Sequence, residues 1–446
     1  ASIDDLTPYI NLMTLIKDSL KEQSNLISKT FPRKMDVFHI FADRVFEDVV
    51  TDYVSHILEK AMQINVKLYL KTMSVVLDSS RQVVVALTTD DSLSEKMDAD
   101  RGMNLLFKLF LPFLDDYLHE ESRYAEKVAR AHIEEWNNRS ARIDTSARLT
   151  NQSRETFKRN YLNAFKKVIT LPVDLVSSAA TTIAIPFQRS FSFSYKPSAS
   201  ISIAPSSENK EATVELKSAI QELDMLQDHL SLEISLQLIH SNKESEKRME
   251  NFIDIGFPGR MKIDIQKTYE QIFTQLLKTL GTSHIQPGFE SAMVQLSSFQ
   301  PNHDNPSQDV PPLTELFELV HVADVIQQMV QLYYDEEITK HIDSLDFLHD
   351  VNKEKKVFER LLDDCVARGI DRGIQVLLSQ VEFILNHEQN KEDYNPPAGR
   401  FPELRPTKAC LDSIEFLRQN TNMLAGASEK GTMNLFFDEI CRRFFE

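Results

Sequence analysis

The sequence predicts an all-α fold, an elongated rod of stacked antiparallel helical bundles. Apolar residues recur at steps of three and four over long stretches, which is the period of an amphipathic helix. Only 10 of the 446 residues are glycine, and glycine supplies the positive-φ positions of tight hairpins and phosphate-binding loops. Helices of about 20–35 residues are roughly 30–50 Å long, and short breaks between them are typical of stacked bundles.

Each predicted helix rests on its own apolar stripe. The helix from Asp36 to Ile64 has the plainest one, at Phe38, Phe41, Val45, Val49, Tyr53, Ile57, Ala61 and Ile64. Pro112 lies within the third pattern and either starts a helix there or kinks one. Thr407 is a candidate N-cap. The predicted helices are about 36–64, 66–87, 103–136, 154–169, 212–252, 261–280, 287–298, 313–333, 353–387, 407–425 and from 429 onward.

Stretches rich in proline and serine divide these helices into blocks. We expect the following organisation: N-terminal bundles at 1–186, a Ser-rich flexible linker at 187–210, a middle bundle at 211–300, a loop at 301–312 and a truncated C-terminal bundle at 313–446. A further break is expected at 391–406. The chain begins at Ala1 without Met and ends at Glu446 inside a predicted helix, so we expect a fragment of a longer protein.

Charge and cysteine content narrow the class of protein. Acids number 67 against 50 Lys and Arg, for a net charge of −17, which disfavours nucleic acid as a partner. The three cysteines are an odd number and far apart, so we expect free thiols in a reducing cytosol. The first 25 residues are amphipathic and do not resemble a signal peptide. We therefore predict a cytoplasmic protein.

The search for an active site predicts no catalytic residue, no cofactor and no metal. Phosphate-binding glycine motifs are absent from the sequence. Gly281–Thr282–Ser283 lacks the second glycine of a nucleophile elbow, so we expect Ser283 on a helix-ending turn. Glu337 and His341 share one helix face, but two ligands do not make a metal site.

The remaining histidines and paired carboxylates are predicted to be structural or solvated. Asp115 and Asp116 are adjacent on a helix and therefore point about 100° apart, which does not form an acid–base dyad. His119 with Glu120 and Glu121 is likewise expected on a solvated face. Three other histidines lie at or beside apolar stripes and are expected to be partly buried. They are His39, His56 and His321.

One stretch of the chain is basic. Between Arg123 and Lys167, eleven Lys and Arg residues stand against five acids. Three interpretations stay open: plain solvated charge, contact with an acidic protein or with another part of this chain, and contact with an anionic membrane surface. The candidate residues of this basic patch are Arg139, Arg142, Arg148, Arg154, Lys158, Arg159, Lys166 and Lys167.

A resemblance to a known family adds to this description. Five segments, in the same order along the chain, resemble segments of fungal recyclin-type proteins, which carry a domain similar to the Sec-ten subunit of the exocyst. The segments are Phe107–Leu118, Tyr161–Ile169, Leu280–Phe289, Phe317–Val330 and Lys353–Glu359. The metazoan exocyst subunit is more distantly similar, mainly in the helix containing Asp364, Gly369, Ile370, Asp371 and Arg372.

The resemblance implies a non-catalytic trafficking factor that tethers vesicles in endocytic recycling or exocytosis. The implied partners are other tethering-complex subunits, Rab-type GTPases or SNAREs, at the periphery of endosomes, vesicles or the plasma membrane. The alternative is a cargo-selecting adaptor of a ubiquitin ligase. That role needs the N-terminal F-box of recyclins, which these residues do not show. A C-terminal prenylation signal, which some members carry, would lie beyond Glu446.

Overall fold

A computed structural model describes most of the chain. The described residues are 6–32, 35–90, 93, 96–140, 151–170, 230–299, 310–342, 346, 349–394, 405–422 and 430–445. The α-helices are α1 Thr7–Thr30, α2 Val37–Arg44, α3 Thr51–Ile64, α4 Val66–Thr89, α5 Ala99–Ser140, α6 Asn151–Thr170, α7 Leu232–Ile255, α8 Arg260–Lys278, α9 Gln286–Ser298, α10 Pro311–Glu336, α11 Asp350–Glu388, α12 Lys391–Tyr394, α13 Lys408–Asn422 and α14 Lys430–Phe445. Two π-helical segments, π1 Val45–Val50 and π2 Thr279–Ile285, and a 3-10 turn, Ile338–Lys340, complete the set.

These elements confirm the predicted all-α class, because no strand occurs among the described residues. Helix α5 continues through Pro112, so the alternative that a helix starts at this proline is wrong. Thr407 caps α13 as predicted, since its Oγ1 accepts a hydrogen bond from the backbone N–H of Cys410 at 3.2 Å. The predicted break at 391–406 contains the short helix α12, and α10 begins at Pro311, inside the predicted loop.

The chain divides into two compact units, each made of two separate stretches. Unit 1 comprises Ala1–Arg130 and Ser241–Gln275, and unit 2 comprises Ala131–His240 and Leu276–Glu446. The predicted blocks are consecutive stretches of sequence separated by loops. Each observed unit instead joins two stretches that are far apart in the sequence. The predicted linker at 187–210 lies outside the described residues, and the block boundaries stay a prediction.

In unit 1, the apolar stripe predicted for residues 36–64 is largely on the wrong face. Phe41, Val49 and Tyr53 are between 38% and 47% exposed, and Ile64 is also exposed. Two members of the predicted stripe, Phe38 and Ala61, are buried. Between them the helix buries a different series, spaced by four residues from Phe38 onward: Ala42, Phe46, Val50, Val54 and Leu58.

The π1 segment explains how one helix buries every fourth residue. An α-helix completes a turn in 3.6 residues, so a four-residue step overshoots the same face by about 40°. A π-helical turn takes up an extra residue, and it therefore brings the drifting series back toward the core. The backbone stays in the helical region on both sides, at Arg44 and Thr51, so α2, π1 and α3 form one continuous helix.

The core of unit 1 joins helices that are far apart in sequence. The Tyr117 ring of α5 stacks on Phe252 of α7 with 4.6 Å between centroids. Phe257 lies 5.0 Å from the Phe107 ring and occupies the turn between α7 and α8. Gly256 and Gly259 in this turn adopt positive φ angles of 71° and 61°, which glycine tolerates without steric cost. The predicted break at this turn is confirmed.

In unit 2, α11 packs against α9, α10, α13 and α14. Two glycines of α11 allow the close approach. A Cβ built on Gly369 would lie 3.0 Å from Leu316 Cδ1, and one on Gly373 would lie 3.0 Å from Leu313 Cδ1. Because each glycine has a hydrogen in place of a Cβ, a leucine side chain of α10 fits against it. The scarce glycines of this sequence are used here for helix packing.

The packing of α5 on α4 in unit 1 gives a stability prediction at Gly102. A Cβ at this position would lie 2.7 Å from Val84 Cγ1 and 3.1 Å from Thr88 Cγ2. We expect Gly102→Ala to lower the free energy of unfolding by about 1–3 kcal/mol, because overpacking outweighs the better helix propensity of alanine. Guanidinium denaturation monitored by circular dichroism measures the change.

Gly281→Ala is the matched control, because a Cβ there would meet its nearest side-chain atom at 3.4 Å, an ordinary contact. We expect that variant to be as stable as the wild type or more so, by up to about 1 kcal/mol. Adding Val84→Ala to Gly102→Ala should destabilise by less than the sum of the single variants. Strict additivity would show that the two helices do not meet as described.

Candidate functional site

The basic patch is centred on α6 in unit 2, and two of its members are engaged within the chain. Lys158 forms an ion pair with Asp324, and Lys166 Nζ lies 2.6 Å from Glu336 Oε1. Both acids belong to α10, which packs against α6. Hydrogen bonding from Lys166 lowers the pKa of the Glu336 carboxyl. Contact with another part of the chain therefore accounts for these two cations.

The other patch residues are distributed differently. Arg159 and Lys167 are exposed on α6. Arg139 and Arg154 lie on the described backbones of α5 and α6, and Arg142 and Arg148 lie outside the described residues. The structure thus brings Lys158 and Lys166 to one helix interface and leaves Arg159 and Lys167 on a solvent-facing surface. Their role as a partner or membrane site stays a prediction.

A buried ion pair in unit 1 was missed by the sequence interpretation. The Glu121 side chain of α5 is fully buried, and it pairs with Arg248 of α7. Arg248 Nη2 donates to Glu121 Oε1 at 2.6 Å, and Arg248 Nε donates to Oε2 at 3.0 Å. This two-pronged geometry is the strongest form of carboxylate–guanidinium contact. The solvated face predicted for Glu121 is wrong, whereas His119, Asp115 and Asp116 are exposed as predicted.

A second acid, Glu246, lies in the same interior. Its side chain is 2% exposed, and neither carboxyl oxygen has a hydrogen-bond partner. Burial raises the pKa of Glu246 well above its ordinary value, and the nearby Glu250 and Glu121 carboxylates raise it further. The one guanidinium of Arg248 already binds Glu121, so a protonated Glu246 relieves the excess of negative charge. This cluster does not face solvent, and its chemistry acts on folding stability.

His284 of π2 is a buried histidine whose pKa is strongly shifted. Its ring is buried, and Nε2 lies 3.1 Å from both the backbone N and the backbone O of Ser231. Burial lowers the pKa of His284 to about 4, so the ring is neutral at pH 7. The neighbouring Ser283 is exposed within π2. The predicted helix-ending turn is therefore wrong, because the helix continues through π2 into α9.

The remaining candidate ligands do not assemble into a metal site in the described part of the chain, where no group of three His, Cys, Asp or Glu side chains has a suitable arrangement. Glu337 binds Lys340, with 2.6 Å between Oε2 and Nζ. Cys365 is buried, Cys410 is half-buried and Cys441 is exposed, all as free thiols. His321 is buried and His39 half-buried, but His56 is exposed, which corrects its predicted partial burial.

Unit 2 has an open groove on its surface. This groove of about 620 Å³ runs along the C-terminal part of α11 and is lined by Leu378, Leu385, Lys391 and Phe444 among others. Its lining mixes apolar and charged side chains, among them Arg443, whose pKa is raised by hydrogen bonds to Asp371 and Glu439. Within the described helices, none combines the length and the apolar character that a membrane span requires.

Comparison with known proteins decides the family. Residues 5–446 match the family model described as "Exocyst complex component Sec10-like, alpha-helical bundle". The chain belongs to this family. The match covers both units and agrees with the helical architecture, and the resemblance drawn from the five sequence segments is confirmed.

Relatives of this exocyst-like family member fall into two groups. The chain is 26% identical over 463 aligned positions to F-box protein pof6 of Schizosaccharomyces pombe, covering 98% of this chain and 51% of that protein. It is 25% identical over 484 positions to Recyclin-1 of Saccharomyces cerevisiae, covering 96% and 56%. Identity to human Exocyst complex component 5 is 22% over 221 positions, covering 48% and 28%. The chain spans about half the length of the fungal relatives.

The buried ion pair gives a stability prediction for this exocyst-like bundle. We expect Glu121→Gln to lower the free energy of unfolding by about 3–5 kcal/mol, because it leaves the Arg248 charge buried without a counter-charge. Asp115→Asn on the same helix is the matched control, and as an exposed substitution it should change stability by less than about 0.5 kcal/mol. Equal denaturation midpoints for the two variants would contradict the buried pair.

Glu246 gives a prediction about pH. The folded state holds the proton more tightly than the unfolded state, whose pKa is near 4.5. The stabilising effect of this proton is therefore complete below pH 4.5 and is lost as the pH rises toward the folded pKa. We expect Glu246→Gln to be more stable than the wild type at pH 7, by about 1.4 kcal/mol for each pH unit between 4.5 and either the folded pKa or pH 7, whichever is lower.

The measurement is urea denaturation of both proteins between pH 4 and 8. The difference between them should grow with pH from about 4.5 upward. Glu59→Gln, at an exposed position of α3, is the control and should run parallel to the wild type. A constant difference for Glu246→Gln across this range would show that Glu246 titrates normally.

Proposed function

We propose that this chain is the non-catalytic helical-bundle part of a membrane-trafficking factor. It acts in vesicle tethering, in endocytic recycling or exocytosis, through protein–protein contacts. The observation that carries the proposal is the match of the Sec10-like helical-bundle model to residues 5–446. The names of two relatives, Recyclin-1 and Exocyst complex component 5, support the same class of role.

The physical properties of the described residues support binding through surfaces. Glu246 and His284, two groups with strongly shifted pKa values, are buried, and Arg248 is bound to Glu121. Long helices present extended rows of side chains, which suit contacts with other helical proteins. The proposed partners are other tethering-complex subunits, followed by Rab-type GTPases and SNAREs. We place the protein at the periphery of endosomes, vesicles or the plasma membrane.

The basic patch is proposed as one contact surface. Lys158 and Lys166 pair with acids of α10, and Arg159 is an exposed cation of the same helix. Charges at such positions attract an acidic partner or an anionic lipid surface, and salt weakens the attraction.

A second candidate function is supported by one relative. The fission-yeast protein that aligns with 98% of this chain is named an F-box protein. A cargo-selecting adaptor of a ubiquitin ligase would use the helical bundle to bind cargo and an F-box outside these residues to bind the ligase. Both functions require the bundle to bind proteins, and they differ in what is recovered with it.

Affinity capture tests the proposal. The chain is immobilised and incubated with yeast lysate at low and high salt, and bound proteins are identified by mass spectrometry. Recovery of the other exocyst subunits would support a role in exocytosis, and recovery of endosomal SNAREs or Rab GTPases without them would support recycling. We expect Arg159→Glu to reduce capture several-fold at low salt and less at high salt. Arg360→Glu, an exposed arginine of α11, is the matched control.

Two outcomes would count against the proposal. Recovery of ubiquitin-ligase components together with a single class of cargo, and no tethering factor, would favour the adaptor function. Recovery of neither class would contradict binding through the bundle itself. Equal capture by Arg159→Glu and Arg360→Glu at every salt concentration would leave the patch as ordinary solvated charge while leaving the tethering role intact.

A further inference from the structure

The apolar stripe that the core of unit 1 does not use forms an exposed seam on the α2–π1–α3 helix. The outer seam is defined here by Phe41, Val45, Val49 and Tyr53. Phe41 is 38% exposed, Val49 47% and Tyr53 38%, and Val45 is half-buried. These residues are spaced by four and flank the buried series, so π1 keeps them aligned as it aligns the buried side chains. Contiguous exposed apolar side chains are typical of interaction sites.

Helix α1 borders the outer seam. α1 ends at Thr30, α2 begins at Val37, and the Tyr9 ring near the start of α1 stacks on Tyr53 with 5.9 Å between centroids. The two helices are therefore antiparallel neighbours. Leu15 and Leu26 of α1 are 65% and 55% exposed. Both α1 and the α2–π1–α3 helix therefore expose apolar side chains.

Exposed acidic side chains lie on the α2–π1–α3 helix, which carries the seam, and on α1, which borders it. Asp48 and Asp52 are exposed one turn apart on α2–π1–α3, and Asp18 and Glu22 are exposed one turn apart on α1. Like charges at this spacing destabilise a helix by roughly 0.2–0.5 kcal/mol per pair. Nearby acids that face α5 are neutralised: Arg101 bonds Asp43 at 2.9 Å, and Lys108 lies 3.3 Å from Glu47. Among the described residues, no Lys or Arg forms an ion pair with the outward acids, so their charge is complementary to a cationic partner.

We propose that the outer seam binds an amphipathic helix of a partner protein, whose apolar face is flanked by Lys and Arg. The seam runs over 12 residues, or about 18 Å, which matches three turns of a partner helix. The apolar rows would pack in the helix-in-groove mode, and the flanking cations would meet Asp48, Asp52, Asp18 and Glu22. An anionic membrane is repelled by the same acids. A second copy of this chain would bring an identical acidic rim against this one.

The test uses designed peptides, and it does not depend on the proposed trafficking role. The probe is a fluorescein-labelled helical peptide of about 14 residues, with Leu on one face and Lys on both flanks. One control peptide carries Glu in place of Lys, and a second has the same composition in scrambled order. Fluorescence anisotropy with the complete chain measures binding. We expect the Lys-flanked peptide to bind and both controls to bind at least about tenfold more weakly.

Variants of the chain locate the site. Val49→Lys should weaken binding of the Lys-flanked peptide by about tenfold or more, since it places a charge in the middle of the seam. Asp48→Lys with Asp52→Lys should weaken binding and reduce its salt dependence. Val85→Lys is the matched control, because Val85 is 46% exposed on α4 of the same unit, and it should leave binding within about twofold. Circular dichroism confirms that each variant is folded.

Several outcomes would overturn the proposal. Equal binding of the Lys-flanked and scrambled peptides would show non-specific attraction to an acidic protein. Equal loss of binding in Val49→Lys and Val85→Lys would place the site elsewhere. Sedimentation equilibrium showing a dimer that Val49→Lys dissociates would mean that a second copy covers the seam. Binding of phosphatidylserine vesicles that Val49→Lys abolishes would mean that a membrane does.

Discussion

A helix that buries every fourth residue is the geometric constraint on which both units depend. Four residues overshoot one turn by about 40°, so the buried row of a long α-helix winds away from its neighbour. In unit 1, π1 lies between Phe38 and Leu58 and returns the buried row of side chains to the side of the helix that faces the core. In unit 2, π2 does the same for a row spaced by four that runs from Leu276 through His284 to Leu296. Both units therefore combine long helices with a local change of helical pitch.

The buried charges act on the stability of the bundle, whereas the exposed charges are available for binding. Glu121, Arg248 and Glu246 are inside unit 1, and their strong mutual interactions act on stability. The charges on the outward helix faces are screened by solvent and hold little folding energy. The proposed function relies on surface rows of side chains, whose spacing the packed interior maintains.

The helices were predictable from sequence because their apolar period is long and regular, and because prolines, glycines and Thr407 mark several of the ends. The buried face was harder to predict. Both Phe41 and Phe46 belong to apolar rows spaced by four, and hydrophobicity does not tell which row faces the core. Packing partners decide that choice, and they come from distant parts of the chain. The π segments were missed for a related reason: they have no sequence signal of their own and appear only when two packed rows must stay aligned.

The buried charges could not be predicted from the sequence for the same reason, because their packing partners come from distant parts of the chain. His119 and Glu120 precede Glu121, and polar residues follow it in the same helix. This pattern is typical of a solvated helix face. Its burial depends on Arg248, 127 positions later. No local pattern reports a partner at that distance. The recognition of the family succeeded where local chemistry did not, because it used five ordered segments spread over much of the chain.

The Glu121–Arg248 pair has a consequence for behaviour on heating. Removing two ions from water is costly at room temperature, but the hydration of charged groups carries a negative entropy, so this cost falls as temperature rises. The attraction between the guanidinium and the carboxylate changes little over the same range. The pair therefore becomes a better contributor to the fold of unit 1 in warm conditions than in cold ones, and it opposes part of the thermal loosening of the aromatic contacts around Tyr117 and Phe252.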